Sequence, residues 1–194
     1  MKRNKEDTNA TIQALLDVAR EHFTVKGFAA ASLEELANEA QLTRGALYHH
    51  FGSKKQLFIA VLESVQHEVA QRVEQDAAQS DDVWEQLLRG CRAFVSAAVE
   101  PRNKRIMLID GPAVLGWEQW RSMDERNSMR LLYGQLEMMQ NEGYIGNVSI
   151  DALTHTLSGA LNESALWIAQ TEDSERALEE TMHVISLLLS GFKR

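Results

Sequence analysis

Apolar residues recur at helical spacing along almost the whole chain. Positions three and four residues apart are apolar in residues 8–26 and again in residues 32–40, with Gly27 between the two segments. The same spacing continues in five later segments, at residues 53–69, 82–99, 117–141, 149–170 and 174–192. No stretch alternates with period two, as a half-buried strand would. The pattern is typical of amphipathic helices and predicts an all-α protein.

Two short helices are predicted very close together within residues 32–50. Ser32 and Glu35 have the spacing of a capping box, and Thr43 can cap the next helix. Only residues 41–42 separate the two helices, which is the spacing of a helix-turn-helix. In that motif the second helix lies in the DNA major groove. On spacing alone, the exposed polar face of a small helical bundle is an alternative interpretation.

The second of these helices carries side chains suited to DNA. Arg44 can donate two hydrogen bonds to a guanine edge, and Gly45 allows the backbone to approach closely. Tyr48 and His49 can donate hydrogen bonds to phosphate oxygens, which position a protein on the duplex without reading its sequence. Lys54 stands at the predicted start of the following helix, where the positive end of the helix dipole favours phosphate.

Charge is distributed unevenly along a chain whose formal net charge is -8. Residues 1–55 contain 8 Lys and Arg and 7 Asp and Glu, whereas the remaining residues contain 12 and 21. This asymmetry is consistent with a basic functional face in front of an acidic body, although a difference of this size also arises by chance.

The run LANEAQLTRGALYHHFGSKKQLF, residues 36–58, closely resembles the DNA-binding signature of TetR/AcrR-family transcriptional regulators. The upstream run ALLDVAREHFTVKGFAAASLEELA also matches the usual first helix and turn of that family, so that the resemblance covers about residues 10–62. One departure is visible, because Gln41 stands where the family usually has glycine. We therefore expect Gln41 either to take a backbone angle that favours glycine or to change the turn slightly.

The resemblance implies an N-terminal three-helix helix-turn-helix domain, residues 1–55, joined to a larger helical domain for effector binding and dimerisation, residues 56–194. It implies a ligand-responsive repressor that binds a palindromic operator as a homodimer and is released by a small molecule. Seven residues are then expected to contact double-stranded DNA: Ser32, Thr43, Arg44, Gly45, Tyr48, His49 and Lys54.

Large apolar side chains and a few polar residues beside them are the candidates for the effector pocket. Adaptable aromatic and thioether surface would suit a small, partly apolar effector, although ordinary core packing is the commoner role of such residues. The predicted pocket residues are Trp84, Phe94, Met107, Asp110, Trp117, Trp120, Tyr133, Asn162, Glu163 and Trp167.

The last two predicted helices carry the apolar stripes expected to form a dimer interface, although both could instead pack inside one chain. The first stripe consists of Leu153, Leu157, Ala160, Leu161, Ala165 and Ile168. The second consists of Ala177, Met182, Ile185, Leu188 and Leu189.

Nothing in the sequence indicates catalysis, a metal or a cofactor. His67 and Glu68 lack the second histidine of a zincin motif, and the single Cys91 cannot form an intramolecular disulfide. No segment is apolar enough to span a membrane and no leader peptide is evident, so we expect a cytoplasmic protein. Two alternatives remain, namely a helical enzyme using Asp110 and Glu163, and an adaptor that binds proteins through residues 174–192.

Overall fold

A computed structural model describes residues 2–194 of the protein, with side chains described from residue 11 onward. In chain order, the helices are α1 (Lys2–Ala30), α2 (Leu33–Glu39), α3 (Arg44–Phe51), α4 (Lys54–Ala77), α5 (Val83–Val99), α6 (Pro101–Lys104), a π-helix (Arg105–Asp110), α7 (Gly111–Leu115), α8 (Trp117–Glu125), α9 (Ser128–Asn141), α10 (Ile150–Ile168) and α11 (Ser174–Ser190). Within residues 2–194 the only bridge of β type is an isolated one between Ile145 and Lys193. The predicted all-α fold is confirmed.

The described chain forms two compact units. The N-terminal unit contains residues 2–65 together with residues 101–117, and the C-terminal unit contains the rest. The helix α4 contributes to both units, because the division falls after Val65. The boundary predicted between residues 55 and 56 concerns function rather than compactness and stays a prediction.

Phenylalanine packing forms the core of the N-terminal unit. The ring of Phe58 on α4 lies edge-on to Phe23 and Phe28 of α1, with centroid separations of 5.1 and 5.2 Å. Leu36 of α2 and Leu47 of α3 are fully buried. Each short helix is therefore held by an apolar side chain that it buries in this unit.

Gly27 kinks α1 where the predicted first helix was expected to end. Its backbone angles, φ 77° and ψ 169°, lie in a region that is almost exclusive to glycine. The guanidinium of Arg105 occupies the space beside it, and a methyl group added at Gly27 would lie 2.5 Å from Nη2. Arg105 also donates to the carbonyl oxygen of Val25 at 3.1 Å, and its Nε lies 3.7 Å from the carboxylate of Asp110. The π-helix is thus attached to the end of α1.

The turn between α2 and α3 takes the first of the two forms expected from its sequence, with a backbone angle at Gln41 that favours glycine. Gln41 has a φ of 55° and is the one residue other than glycine with positive φ in the described chain. The backbone of Leu42 then donates to the carbonyl of Ala37 at 2.8 Å, which closes the turn. The backbone of Gln41 therefore adopts the left-handed conformation that is most common for glycine.

Helices α5 and α10 lie at the centre of the C-terminal unit, since each packs against α9 and α11 as well as against the other. Three helices of this unit begin with side-chain caps. Asp82, Ser149 and Asp173 accept hydrogen bonds from the backbone three residues later, at 2.8, 3.2 and 3.0 Å. The predicted starts of α5, α10 and α11 are explained by these caps.

The prediction of one continuous helix over residues 117–141 is wrong. The helix stops at Glu125, and Asn127 adopts non-helical angles of φ -112° and ψ -113°. The side-chain amide of Asn127 donates to the carbonyl of Met123 at 2.8 Å, in place of its own backbone N–H. A side chain that competes for a backbone acceptor is a known way to interrupt a helix.

Most residues of the two stripes predicted for dimerisation are buried within the chain itself. On α10, Leu153, Leu157 and Ile168 are less than a tenth exposed, and Ala177, Ile185 and Leu189 on α11 are equally buried. Leu188 is 60% exposed and Ala160 is partly exposed. The other residues of both stripes belong to the core of the C-terminal unit, so a contact with a second chain would use Leu188 and residues outside the stripes.

The first prediction concerns Gly27. Gly27→Ala should lower the free energy of unfolding by about 2–3 kcal/mol, since alanine is strained at this φ and ψ and its methyl group displaces Arg105. Urea denaturation followed by circular dichroism measures the change. Gly116→Ala is the matched control, because Gly116 has similar angles, φ 82° and ψ 158°, with no atom within 4 Å of an added methyl group. Equal losses in both variants would contradict a role for Arg105.

The second prediction concerns the turn. Gln41→Gly should raise the free energy of unfolding by about 0.5–1 kcal/mol, because glycine relieves the left-handed strain and only part of this gain is offset by the more flexible unfolded chain. The same denaturation experiment measures it. Ala40→Gly, at a φ of -73° in the same turn, should instead destabilise the protein. A loss of stability in Gln41→Gly would show that the glutamine conformation carries no strain.

Candidate functional site

The helix α3 presents the side chains predicted to contact DNA. The Thr43 hydroxyl accepts a hydrogen bond from the backbone of Ala46 at 3.1 Å, so the predicted cap is confirmed. Leu47 is fully buried and fixes the rotation of the helix about its axis. The five predicted contact residues at this helix are then all exposed, namely Thr43, Arg44, Gly45, Tyr48 and His49.

Arg44 and Tyr48 lie side by side on the exposed face of α3. Their separation of four residues places them one turn apart, with Arg44 Nη2 3.5 Å from the Tyr48 hydroxyl and the guanidinium 5.5 Å from the ring centroid. Hydrogen bonding to Tyr48 raises the pKa of Arg44. A permanent cation and a hydroxyl are thus held together at the surface, and such a pair can meet a base edge and a phosphate.

Lys54 lies at the start of α4, but its ammonium group already has a partner. Nζ donates to the carbonyl of Ala29 at 3.0 Å and lies 4.8 Å from the ring centroid of Phe28. Burial lowers the pKa of Lys54. The side chain therefore ties α4 to the end of α1 as well as lying near the surface predicted to bind phosphate.

Ser32 occupies the N-cap position of α2 as predicted, but the expected capping box is absent. The Ser32 side chain makes no capping hydrogen bond. Glu35, its expected partner, instead accepts a hydrogen bond from Lys26 at 2.7 Å, and this contact lowers the pKa of the Glu35 carboxyl. The Ser32 hydroxyl is therefore not committed to capping.

The C-terminal unit contains a cavity of about 360 Å³. Its wall is built by the end of α4 and by α5, α8, α9 and α10, with mostly aliphatic, aromatic and thioether side chains. The apolar lining includes Val73, Leu87, Phe94, Met129, Leu132 and Leu161. The volume falls at the lower end of the range found for small-molecule sites.

Only one of the ten predicted pocket residues, Phe94, lines this cavity among the described residues. Met107 and Trp120 are buried core residues, 0% and 3% exposed. Asp110 belongs to the N-terminal unit, where its Oδ2 accepts a hydrogen bond from the backbone of Phe28 at 2.8 Å.

The other predicted pocket residues are also dispersed. Trp117, Glu163 and Trp167 are exposed, and the Tyr133 hydroxyl donates to Glu137 at 3.3 Å on the surface of α9. The ammonium of Lys193 lies over the ring of Trp84, with Nζ 5.2 Å from the ring centroid. Asn162 is buried behind the cavity wall and donates to Asp124 at 3.5 Å. The structure does not bring this set together around one site.

Asp124 is the cavity residue that sequence reasoning missed. Its carboxylate is 2% exposed, and Oδ2 lies 2.9 Å from Nη1 of Arg121. The same Arg121 nitrogen donates to the hydroxyl of Ser158 at 2.9 Å. Burial raises the pKa of Asp124, and the charge of Arg121 opposes that rise. The spacing of Arg121 and Asp124 by three residues was the available signal, but surface ion pairs on helices show the same spacing.

Cys91 also lines the cavity, and burial raises the pKa of its thiol to about 12. The thiolate is the nucleophilic form of cysteine, so this thiol is not activated for chemistry at neutral pH.

Among the described residues, none of the helices combines the length and the apolar character that a membrane span requires.

Comparison with known proteins assigns the chain to a family. The family profile for bacterial regulatory proteins of the tetR family matches residues 15–61. A profile for a tetracyclin repressor-like C-terminal domain matches residues 84–192, which is more than half of the chain. A solved TetR-family transcriptional regulator from Pectobacterium atrosepticum is 35% identical, with a TM-score of 0.81, over 100% of this chain and 97% of that one.

Curated relatives match only part of this chain. The regulator TtgR of Pseudomonas putida is 31% identical over 112 residues, 55% of this chain and 51% of that protein. The transposon Tn10 TetC protein of Escherichia coli is 45% identical over 56 residues, 29% of this chain and 28% of that protein. The chain thus spans about half or less of these curated relatives. The profiles at both ends and the full-length structural relative establish that the chain belongs to the TetR family of bacterial transcriptional regulators.

Proposed function

We propose that this TetR-family regulator acts as a homodimeric repressor in the cytoplasm, binds a palindromic operator through α3 and leaves it when a small molecule occupies the cavity of the C-terminal unit. The exposed face of α3 is the observation that carries this proposal. Five groups suited to DNA stand on one short helix whose rotation is fixed by the buried Leu47. Helix-turn-helix proteins read base edges with the first residues of this helix.

Within this proposal, Arg44 reads base edges and Tyr48 contacts phosphate. Thr43, Gly45 and His49 lie against the walls of the groove. The arrangement of Arg44 one turn before Tyr48 supports this division, because the guanidinium is already oriented by the tyrosine ring.

Ser32 and Lys54 are proposed to hold the DNA backbone on either side of α3. The uncommitted hydroxyl of Ser32 supports its part. Lys54 donates one hydrogen bond to Ala29, and an ammonium group has three donors, so two remain for phosphate. Lys54 would then join the end of α1, the start of α4 and the DNA.

An exposed apolar surface on α10 and α11 supports the homodimer. Val184, Leu187 and Leu188 share one face of α11 and are 52%, 59% and 60% exposed. Trp167 on α10 is 49% exposed. Apolar surface of this kind on a pair of packed helices suits the four-helix interface that two chains can form. Two half-sites of an operator then match the twofold symmetry of the protein.

Release by a ligand requires two conformations with different affinities for DNA. An effector in the cavity would stabilise the conformation in which the recognition helices of the dimer no longer fit successive major grooves. The apolar lining and the buried polar group at Asp124 support the cavity as the effector site.

The enzyme alternative gains no support. Glu163 is exposed, and Asp110 is engaged with the backbone of Phe28 and with Arg105. Neither carboxylate has the surroundings of a catalytic acid or base.

The third prediction tests α3. Arg44→Ala should weaken operator binding by about tenfold or more and relax the preference at one base pair of each half-site, because a bidentate contact to a base is lost. Tyr48→Phe should weaken binding to specific and unrelated DNA alike. Both are measured by fluorescence anisotropy with the DNA upstream of the protein's own gene and with scrambled DNA at fixed salt.

Arg130→Ala is the charge-matched control, since Arg130 is an exposed arginine on α9 of the C-terminal unit. It should leave both affinities within about twofold of the unmodified protein. Sequence-independent binding by the unmodified protein at moderate salt would sink the regulator proposal, and an unchanged base preference in Arg44→Ala would remove Arg44 from its role.

The fourth prediction tests the dimer. Leu187→Arg should convert the protein to a monomer in sedimentation velocity at micromolar concentration, because a charge would be buried without a partner at the interface. Glu175→Arg introduces the same side chain on the opposite side of α11 and should leave the dimer intact. The monomer should keep its helical content, since Leu187 is exposed within one chain. If the unmodified protein sediments as a monomer, the dimer proposal fails and the adaptor alternative regains this surface.

A further inference from the structure

The wall of the cavity contains the buried carboxylate of Asp124, and one of its two oxygens is free to accept a hydrogen bond. Within the described residues, three hydrogen bonds reach the Asp124 carboxylate and all of them end on Oδ2. They come from Arg121 at 2.9 Å, Ser158 at 3.5 Å and Asn162 at 3.5 Å. None reaches Oδ1, although Asp124 lines the cavity. An apolar ligand that fills the cavity would take water from this oxygen, which costs free energy unless the ligand itself donates a hydrogen bond, so Oδ1 is the atom that a ligand donor would satisfy.

The charges around this group select against an ionic ligand. Arg121 already balances Asp124, and the side chains of the pair are 11% and 2% exposed. An anion would meet the Asp124 carboxylate and also Glu74, an exposed residue of the same cavity wall. A cation would bring a further charge into an apolar cavity where the buried carboxylate is already paired. A neutral donor avoids both costs.

The volume and the lining of the cavity determine what the rest of the ligand must be. The cavity of about 360 Å³ is lined for the greater part by Leu, Val, Ala, Met and Phe side chains, so most of the ligand must be apolar. We infer that the effector is a small, uncharged, largely apolar molecule whose hydroxyl or N–H group donates a hydrogen bond to Oδ1 of Asp124. This inference rests on the proposed function, because it names the ligand class of the proposed effector site.

The fifth prediction uses one ring system with four different head groups. Isothermal titration calorimetry at pH 7 measures binding of 2-naphthol, 2-methoxynaphthalene, 2-naphthoate and 2-naphthylmethylammonium to the full-length protein. The neutral hydroxyl compound should bind about tenfold or more tightly than its methyl ether, because the ether offers Asp124 no donor. The anion and the cation should both bind more weakly than the hydroxyl compound.

Two variants connect this preference to the carboxylate. Asp124→Asn replaces the charged acceptor by an amide of the same size and should reduce the preference for the hydroxyl compound to about threefold or less. Ser158→Ala keeps the carboxylate and should retain most of the preference. Leu132→Trp fills the cavity and should abolish binding of all four compounds. Thermal melting establishes that each variant is folded, and if Asp124→Asn unfolds, the head-group series on the unmodified protein decides.

The outcomes separate the ligand class from the proposed function. Equal or tighter binding of the methyl ether, the anion or the cation overturns the inference, even if that compound releases the protein from DNA. Preferential binding of 2-naphthol without any effect on DNA binding supports the ligand class and overturns the effector role of the cavity. If none of the four compounds binds, the inference fails, and the operator experiments alone decide whether the chain is a sequence-specific regulator.

Discussion

The burial of Leu47 in the N-terminal unit is the contact on which the proposed DNA-contacting face of α3 depends. A helix of eight residues is not stable by itself in water, so α3 exists because tertiary packing holds it. Leu47 also fixes which face of α3 is exposed, and hence that Arg44 and Tyr48 point outward. The Thr43 cap and the left-handed Gln41 set the start of the helix, while the Phe23, Phe28 and Phe58 rings form the core of the same unit. The exposed polar side chains of α3 are therefore positioned by apolar packing on the opposite face of the same helix.

The Arg121–Asp124 pair of the C-terminal unit is a buried polar contact, in contrast to the apolar burial of Leu47. Removing two charges from water costs more free energy than their attraction usually returns, so a buried pair is weak evidence for stability. Here Ser158 and Asn162 donate further hydrogen bonds to Oδ2 of Asp124 that offset part of this cost, while no hydrogen bond within the described residues reaches Oδ1. In the proposed effector site, this polar group would orient a ligand that the apolar lining alone would hold without specificity.

The helices α10 and α11 show why an apolar pattern does not reveal its partner. Both helices carry more apolar residues than one buried stripe requires. On α11, Ala177, Ile185 and Leu189 pack inward, while Val184, Leu187 and Leu188 remain exposed. The periodicity detects that the helix is amphipathic, but the inward face is chosen by the neighbouring helices. The residues left outside are therefore the better candidates for contact with a second chain, and they become visible only after the chain has folded.

The sequence alone determined what depends on neighbours in the chain: the all-α fold, the short helix-turn-helix, the Thr43 cap, the strained Gln41 turn and the residues exposed on α3. These features follow from caps, turn preferences and periodicity, which act over a few residues. Tertiary structure decided what depends on distant segments. The cavity joins residues of five helices, and neither the exclusion of Trp117 and Asp110 nor the inclusion of Ser158 has a local signal. The break at Asn127 is intermediate, since its cause is a local hydrogen bond that competes with an otherwise helical pattern. Caps, turns and helices depend on residues close together in the chain and can therefore be inferred from the sequence. A cavity depends on which faces of distant helices come together, and only the tertiary structure decides this.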